Sequence, residues 1–214
     1  MSLLNELGLK YRTDKAVDGK RGEPGKGHDY LRVYERFSML ERTEVRKVLE
    51  IGVQKGASIR MWEEYFPSAT IYGLDIAESA LNVTGDRIRI QLVDQSDAAA
   101  LKAFAEQNGP FDLIVEDGSH IWSHQIIGLQ TLLPHLKPGG QYIVEDLHTS
   151  YAAEFGEAGG MTGVQYVLKC CEKILGSSRV RSSNEEDSLI HGLSEFIDSV
   201  MVLRYAAVFF AKPA

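Results

Sequence analysis

Cysteine is nearly absent from the 214 residues: there are two, Cys170 and Cys171, and they are neighbours. Adjacent cysteines rarely meet disulfide geometry, and no third offers a partner, so a disulfide framework is excluded and a reducing, cytoplasmic setting is expected. Long apolar runs are missing too. No stretch approaches the ~20 apolar residues of a membrane span. The opening MSLLNELGLKYRTDK has neither the apolar core nor the cleavage site of a secretory leader. A basic surplus is also lacking: 30 acidic residues face 23 basic ones, a formal net charge of −7. That argues against a dedicated nucleic-acid binder. The basic pair Arg179 and Arg181 is followed closely by Glu185, Glu186 and Asp187 and reads as a solvated loop.

What remains is an ordinary globular balance, 44% hydrophobic and 25% charged, enough to bury the core of one α/β domain. From residue 45 strand-like and helix-like stretches alternate. VRKVLEIGV, ATIYGLDI, RIRIQLVDQSD, FDLIVEDGSH and QYIVEDLHTSY read as strands. ASIRMWEEYF, AAALKAFAEQNG, residues 121–136 up to KPGG, and residues 163–175 read as helices. This alternation predicts a parallel sheet with helices on both faces. The closing IDSVMVLRYAAVFFAK has no helix between its two apolar runs and predicts an antiparallel hairpin at a sheet edge. Residues 1–44 are polar, aromatic-rich and loop-like, with helical spacing only in YLRVYERFSML.

The turn after the first strand reads Glu50-Ile-Gly52-Val-Gln-Lys-Gly56-Ala-Ser58. Glycines there let the backbone approach a ligand at the carboxyl end of the sheet. The third glycine of a pyrophosphate-binding G-x-G-x-x-G is missing, and Glu50 suits a cationic ligand better than a phosphate. Asp75, with Ile76 beside it, ends the second strand, where a carboxylate can accept both ribose hydroxyls or cap a helix. Asp94 and Gln95 end the third, where they can reach an adenine edge or make a turn. An adenosine ligand with a positive group, S-adenosylmethionine, fits these strand ends, and the terminal hairpin favours it over NAD. The expected fold is therefore an α/β, Rossmann-like class I methyltransferase sheet over residues 45–214. Residues 1–44 are then expected to be a lid or oligomer contact using Tyr11, Thr13, Asp14 and His28.

Two further acidic clusters end strands four and five: Glu116-Asp117-Gly-Ser-His120 and Glu145-Asp146-Leu-His148. Neighbouring parallel strands lie about 5 Å apart, so Asp117, Glu145 and Asp146 can converge. Carboxylates so crowded repel unless a cation joins them, and oxygen donors point to Mg²⁺, with Mn²⁺ or Ca²⁺ as substitutes. Alternatively the aspartates cap the helices that follow. His120, just behind Asp117, is placed as a general base, with His148 as runner-up. His120 and His124, four apart, would share a face if helical, but no third soft ligand makes them a zinc pair.

At these residues the chain resembles the metal-dependent sugar O-methyltransferases of antibiotic biosynthesis, the mycinamicin, macrocin and calicheamicin rhamnosyl type. LEIGVQKGASIRMWEEYFPSATIYGLDI, VDQSD, EDGSH and PGGQYIVEDLHTSY carry the likeness. The earlier KYRTDKAVDGKRGEPGKGHDYLRVYERF extends it, so that it covers roughly residues 9–151. The resemblance implies metal ligands at Asp117, Glu145 and Asp146 and a base at His120. It implies cofactor contacts at Glu50, Gly52, Ser58, Asp75, Asp94 and Gln95; Gly56, Ile76, Glu116, Tyr11 and Thr13 complete the candidate set. Two departures stand out: Glu116 where the family has aspartate, and Arg12 where glycine is common. The expected reaction is methyl transfer to a hydroxyl of a small molecule, most naturally a sugar. A catechol or phenol acceptor, or a non-catalytic S-adenosylmethionine binder, are the alternatives. Neither a nucleic acid nor a membrane is an expected partner; a second copy of the chain is a candidate one.

Overall fold

The computed structural model describes residues 2–17, 27–156, 158–176, 190 and 192–214. The expected loop around Arg179 to Asp187 and the KRGEPGKG stretch from Lys20 lie outside the described residues, Gly27 apart. The chain divides into two compact units, Met1–Leu92 and Val93–Ala214. Among the described residues no helix is long and apolar enough to cross a membrane.

The first unit holds three parallel strands, β1 (Lys47–Ile51), β2 (Thr70–Asp75) and β3 (Ile88–Leu92), in the order β3-β2-β1. Val48, Leu49, Glu50 and Ile51 are all buried, the unbroken burial of a strand covered on both faces. Helix α3 (Ala57–Tyr65) places Ile59, Met61 and Trp62 in this core.

The N-terminal segment differs from its loop-like expectation in α1 (Leu3–Tyr11), whereas α2 (Tyr30–Phe37) lies where YLRVYERFSML has helical spacing. Ser2 caps α1 through a side-chain bond accepted from the Asn5 amide, and Leu4 and Leu7 turn inward to pack against α2 and α3. The helix stops at Arg12, whose φ of 60° lies in the left-handed region. That region is nearly free for glycine and costly for other residues.

The second unit holds β4 (Phe111–Glu116), β5 (Leu136–Val144), β6 (Ile197–Leu203) and β7 (Ala206–Ala211), in the order β4-β5-β7-β6. β4 and β5 are parallel, and β7 runs antiparallel to both β5 and β6. The hairpin thus sits where the sequence put it, with its last strand inserted beside β5 and β6 outermost. Helices α4 (Ala98–Asn108), α5 (Trp122–Leu132) and α6 (Gly163–Gly176) belong to the same unit.

Two boundaries moved. The helix expected over 121–136 ends at Leu132 and passes into a 3₁₀ turn over Leu133–His135, because Pro134 cannot donate the next helical bond. The strand expected through QYIVEDLHTSY ends at Val144; Asp146 turns to φ 55° and Leu147–Tyr151 is a 3₁₀ helix.

Gly8 on α1 shows why this segment is packed. A Cβ there would lie 2.9 Å from the Ala16 methyl and press on Leu31 as well. Intrinsic propensity favours alanine over glycine by about 1 kcal/mol in a helix, whereas overpacking costs about 1–3 kcal/mol. Gly8→Ala should therefore lower the urea midpoint rather than raise it. A stabilised variant would show that α1 is not seated against Leu31.

Candidate functional site

In the first unit the strand ends are organised around two carboxylates. Asp75, at the tip of β2, accepts the backbone amides of Val53 and Gln54 on Oδ2 (2.9 Å each) and of Ala77 on Oδ1 (2.8 Å). Partial burial pushes its pKa up, but the backbone donors outweigh this and hold it below the usual value. These bonds clamp the β1–α3 turn, where Gly52 and Gly56 take φ 94° and 73°. Oδ2 is filled by its two donors, so the accepting capacity left for a ribose hydroxyl is on Oδ1. Ile76 beside it is 71% exposed, an apolar surface open for a ring to pack on. Ser58 is buried in the first turn of α3.

Glu50 is fully buried, and its Oε1 lies 3.4 Å from Nζ of Lys15, itself 1% exposed. Sequence reasoning missed Lys15. Its signal was its place in KYRTDK, next to Thr13 and Asp14. Tyr11 is directed to α3, its hydroxyl 2.5 Å from Glu64, and Thr13 is buried. The His28 amide donates to the Asp14 carbonyl, and its ring packs edge-on to Tyr30.

In the second unit Asp94 is exposed, and its Oδ1 accepts both the amide and the hydroxyl of Ser96. Gln95 is buried, its amide turned onto Glu116 and the backbone of Ser119. Glu116 is fully buried. Burial drives its pKa up to about 7, against the partial relief of the Gln95 and Gly118 donors. Neither side chain points outward.

The acidic tips do converge, with one change of membership. One ligand atom from each of Asp117, His120 and Asp146 can be chosen so that all lie within 4.8 Å of one another. His120 Nε2 is 3.5 Å from Asp146 and 4.0 Å from Asp117. Glu145 is not in this group. It is 1% exposed, its amide donating to the Glu116 carbonyl and its carbonyl accepting from Gln125. The strand tip turns at Asp146, whose carboxylate lies 3.5 Å from His120 Nε2. His120 also departs from the helical reading. It precedes α5 with φ 59°, so it does not share a face with His124, which lies instead 2.8 Å from the Ser119 hydroxyl. The Thr149 hydroxyl donates toward the carbonyls of His120 (3.2 Å) and Asp146 (2.8 Å). His148 Nδ1 is 3.8 Å from Asp146, with its ring against Tyr205. An oxygen-rich set with one imidazole suits a hard divalent cation.

Beside the cluster lies a cavity of about 590 Å³, walled by Trp122, Ile126, Ile127, Phe155 and Met161 among others. The Phe155 ring is 6.4 Å from that of His120. This is the volume and lining of a small-molecule site.

The Lys15–Glu50 pair generates a stability test. Removing one partner of a buried ion pair strands the other charge, at about 3–5 kcal/mol, whereas replacing both by apolar groups is often neutral. Lys15→Met should lower unfolding free energy by that order in a urea titration, and Lys15→Met/Glu50→Leu should recover most of it. Equal losses in the single and double variants would mean that packing, not charge, is what Lys15 supplies.

Residues 49–147 match the family model described as a methyltransferase domain, Methyltransf_24. The chain is 41% identical over 135 residues to 8-demethyl-8-alpha-L-rhamnosyl tetracenomycin-C 2'-O-methyltransferase of Streptomyces olivaceus, covering 60% of this chain and 35% of the relative. It is 39% identical over 160 residues to mycinamicin VI 2''-O-methyltransferase of Micromonospora griseorubida, covering 72% and 38%. Among solved structures, the MycE methyltransferase of the mycinamycin biosynthetic pathway, in complex with Mg, SAH and mycinamycin VI, superposes with a TM-score of 0.82 at 31% identity. That match covers 98% of this chain and 54% of MycE. The chain thus spans about half or less of the length of the relatives it matches. It has the Rossmann-like class I methyltransferase fold and resembles, in sequence and in structure, the sugar O-methyltransferases of macrolide and tetracenomycin pathways.

Proposed function

We propose that this chain carries out S-adenosylmethionine- and divalent-metal-dependent O-methylation of a sugar hydroxyl on a glycosylated natural product. The observation that carries the reading is the Asp117–His120–Asp146 cluster at the ends of β4 and β5. The relatives named above support the acceptor class, and the Mg and SAH bound to MycE support the two cofactors. Bound S-adenosylmethionine supplies an electrophilic methyl group, and the cation, as Mg²⁺, supplies positive charge that lowers the pKa of an acceptor hydroxyl.

The chain's own residues divide the work. Asp117 and Asp146 hold the cation. His120, its Nε2 between their carboxylates, accepts the hydroxyl proton. Glu50, Gly52, Gly56, Ser58, Asp75 and Ile76 hold the cofactor's adenosine and amino ends, with residues 1–44 as its cover through Tyr11, Thr13 and the Lys15 contact to Glu50. The apolar cavity beside His120 takes the part of the acceptor that is not sugar, which favours a glycoside over a free monosaccharide. Free Cys170 and Cys171 fit a cytoplasmic enzyme.

The test is methyl transfer from S-adenosylmethionine to a panel of macrolide and polyketide rhamnosides, free sugars and catechols, with and without chelator. Glycosides should be methylated, turnover should vanish in excess chelator, and Mg²⁺ should restore it. Asp146→Asn should lower turnover by about 100-fold or more, since even outer partners of a metal are worth about 10–100-fold. Its affinity for S-adenosylhomocysteine should stay unchanged. Full activity in chelator removes the cation from the reaction; turnover of catechols alone reassigns the acceptor.

A further inference from the structure

We infer that Gln95 is a positioning residue for the cation cluster, fastening the loop that carries Asp117 and His120, rather than a reader of the adenine edge. The inference rests on the metal-dependent reading above and concerns the second unit alone.

The side-chain amide of Gln95 is engaged at both ends. Its Nε2 donates to Glu116 Oε1 at 2.6 Å, and its Oε1 accepts the Ser119 amide at 3.0 Å. Gln95 is 7% exposed and Glu116 not at all. In this burial a lost partner leaves a polar group unsatisfied, at about 1–3 kcal/mol, so the pairing is directional. An amide is the neutral group that can donate to a carboxylate and accept from a backbone N–H at the same time.

The loop it grips runs from Asp117 to Ile121, and its Gly118 amide also donates to Glu116 Oε1 at 3.5 Å. The Ser119 hydroxyl accepts the Ile121 amide and lies against His124, both on the α5 side. The His120 carbonyl is held from the β5 side by Thr149. Gln95 supplies the hold on the Ser119 main chain from the segment that leads into α4. Without it the Ser119 amide loses its acceptor, and the backbone between Asp117 and His120, which has to keep His120 at φ 59°, is held less firmly. Groups that orient metal ligands without touching the ion are worth about 10–100-fold in affinity.

Exchanging the polarity of the pair separates this role from the alternatives. In Gln95→Met, Glu116 loses the Gln95 donor and the Ser119 amide loses its acceptor. In Gln95→Glu/Glu116→Gln, the new amide donates to the new carboxylate, which still accepts the Ser119 amide, so the fastening is rebuilt with the same number of acids. The readouts are Mn²⁺ affinity from the electron paramagnetic resonance signal of free Mn²⁺, S-adenosylhomocysteine affinity by calorimetry, and amide exchange at Ser119.

Gln95→Met should weaken Mn²⁺ by about 10-fold and speed exchange at Ser119, with S-adenosylhomocysteine affinity within about twofold. The exchange variant should return Mn²⁺ to within about threefold of the parent, and it keeps the test alive if a single variant fails to fold. Loss of S-adenosylhomocysteine affinity with Mn²⁺ unchanged overturns the inference in favour of an adenine contact. Failure of the exchange to rescue, or unaltered Mn²⁺ binding in Gln95→Met, overturns it outright. If the parent protein binds no Mn²⁺, the cation reading falls, and this inference with it.

Discussion

The crowding of acids at the ends of β4 and β5 is the constraint to which the second unit answers. Glu116, Asp117 and Asp146 lie within a few residues of two neighbouring strand tips, and Glu116 is wholly out of water. Like charges so placed raise one another's proton affinity. The unit answers in two ways. Glu116 is moved away from full ionisation by burial and given neutral donors, the Gln95 amide and the Gly118 N–H. Asp117 and Asp146 keep access to solvent and share an imidazole between them. The first answer is internal; the second leaves a set of ligand atoms that a divalent cation completes.

The first unit buries an acid at a strand end as well, and solves the problem differently. Glu50 has a lysine, Lys15, buried beside it. A cation can neutralise a carboxylate where an amide can only solvate it, so the two buried glutamates have different electrostatic characters despite their matching positions on β1 and β4. The neutralising residue comes from the N-terminal segment, which ties that segment to the β1 turn more firmly than a loop passing over the surface would be tied. Tyr11 and Lys10 reinforce the tie through Glu64 on α3.

Much of this was legible in the sequence. β-branched runs ending in glycine or an acid gave the five parallel-type strands, because a strand buried on both faces leaves a continuous apolar record. The acids at their tips, and the helix-free terminal pair, were equally plain. Three things were not. The N-terminal helix was hidden because its apolar face is only Leu4 and Leu7 wide, with Gly8 set against Leu31. Lys15 was hidden because a buried lysine is rare and its partner is 35 residues away. The place of the His120 ring between the two aspartates was hidden because strand periodicity says which side chains alternate, and stops being informative where the strand stops. At Asp146 the backbone leaves the extended region, and the side chain that faces the cluster is decided by a turn.

That turn belongs to a pattern. Positive φ at a non-glycine residue carries a cost of about 1–2 kcal/mol, and the chain accepts it at Arg12, Asp29, Gln54, His120, Asp146 and Tyr205. Three of these six meet around one place. His120 and Asp146 are cluster members, and Tyr205 packs on His148 while its carbonyl accepts the Leu147 amide at 2.7 Å. Where the same backbone region is needed with no demand on a side chain, the chain uses glycine, as at Gly52 and Gly56 in the β1 turn. Glycine at 120 or 146 would relax the backbone and delete the imidazole or the carboxylate. The strain is retained because the side chain is what the position is for, and Thr149, bonded to the carbonyls of both residues, is the element that holds the two strained turns in place together.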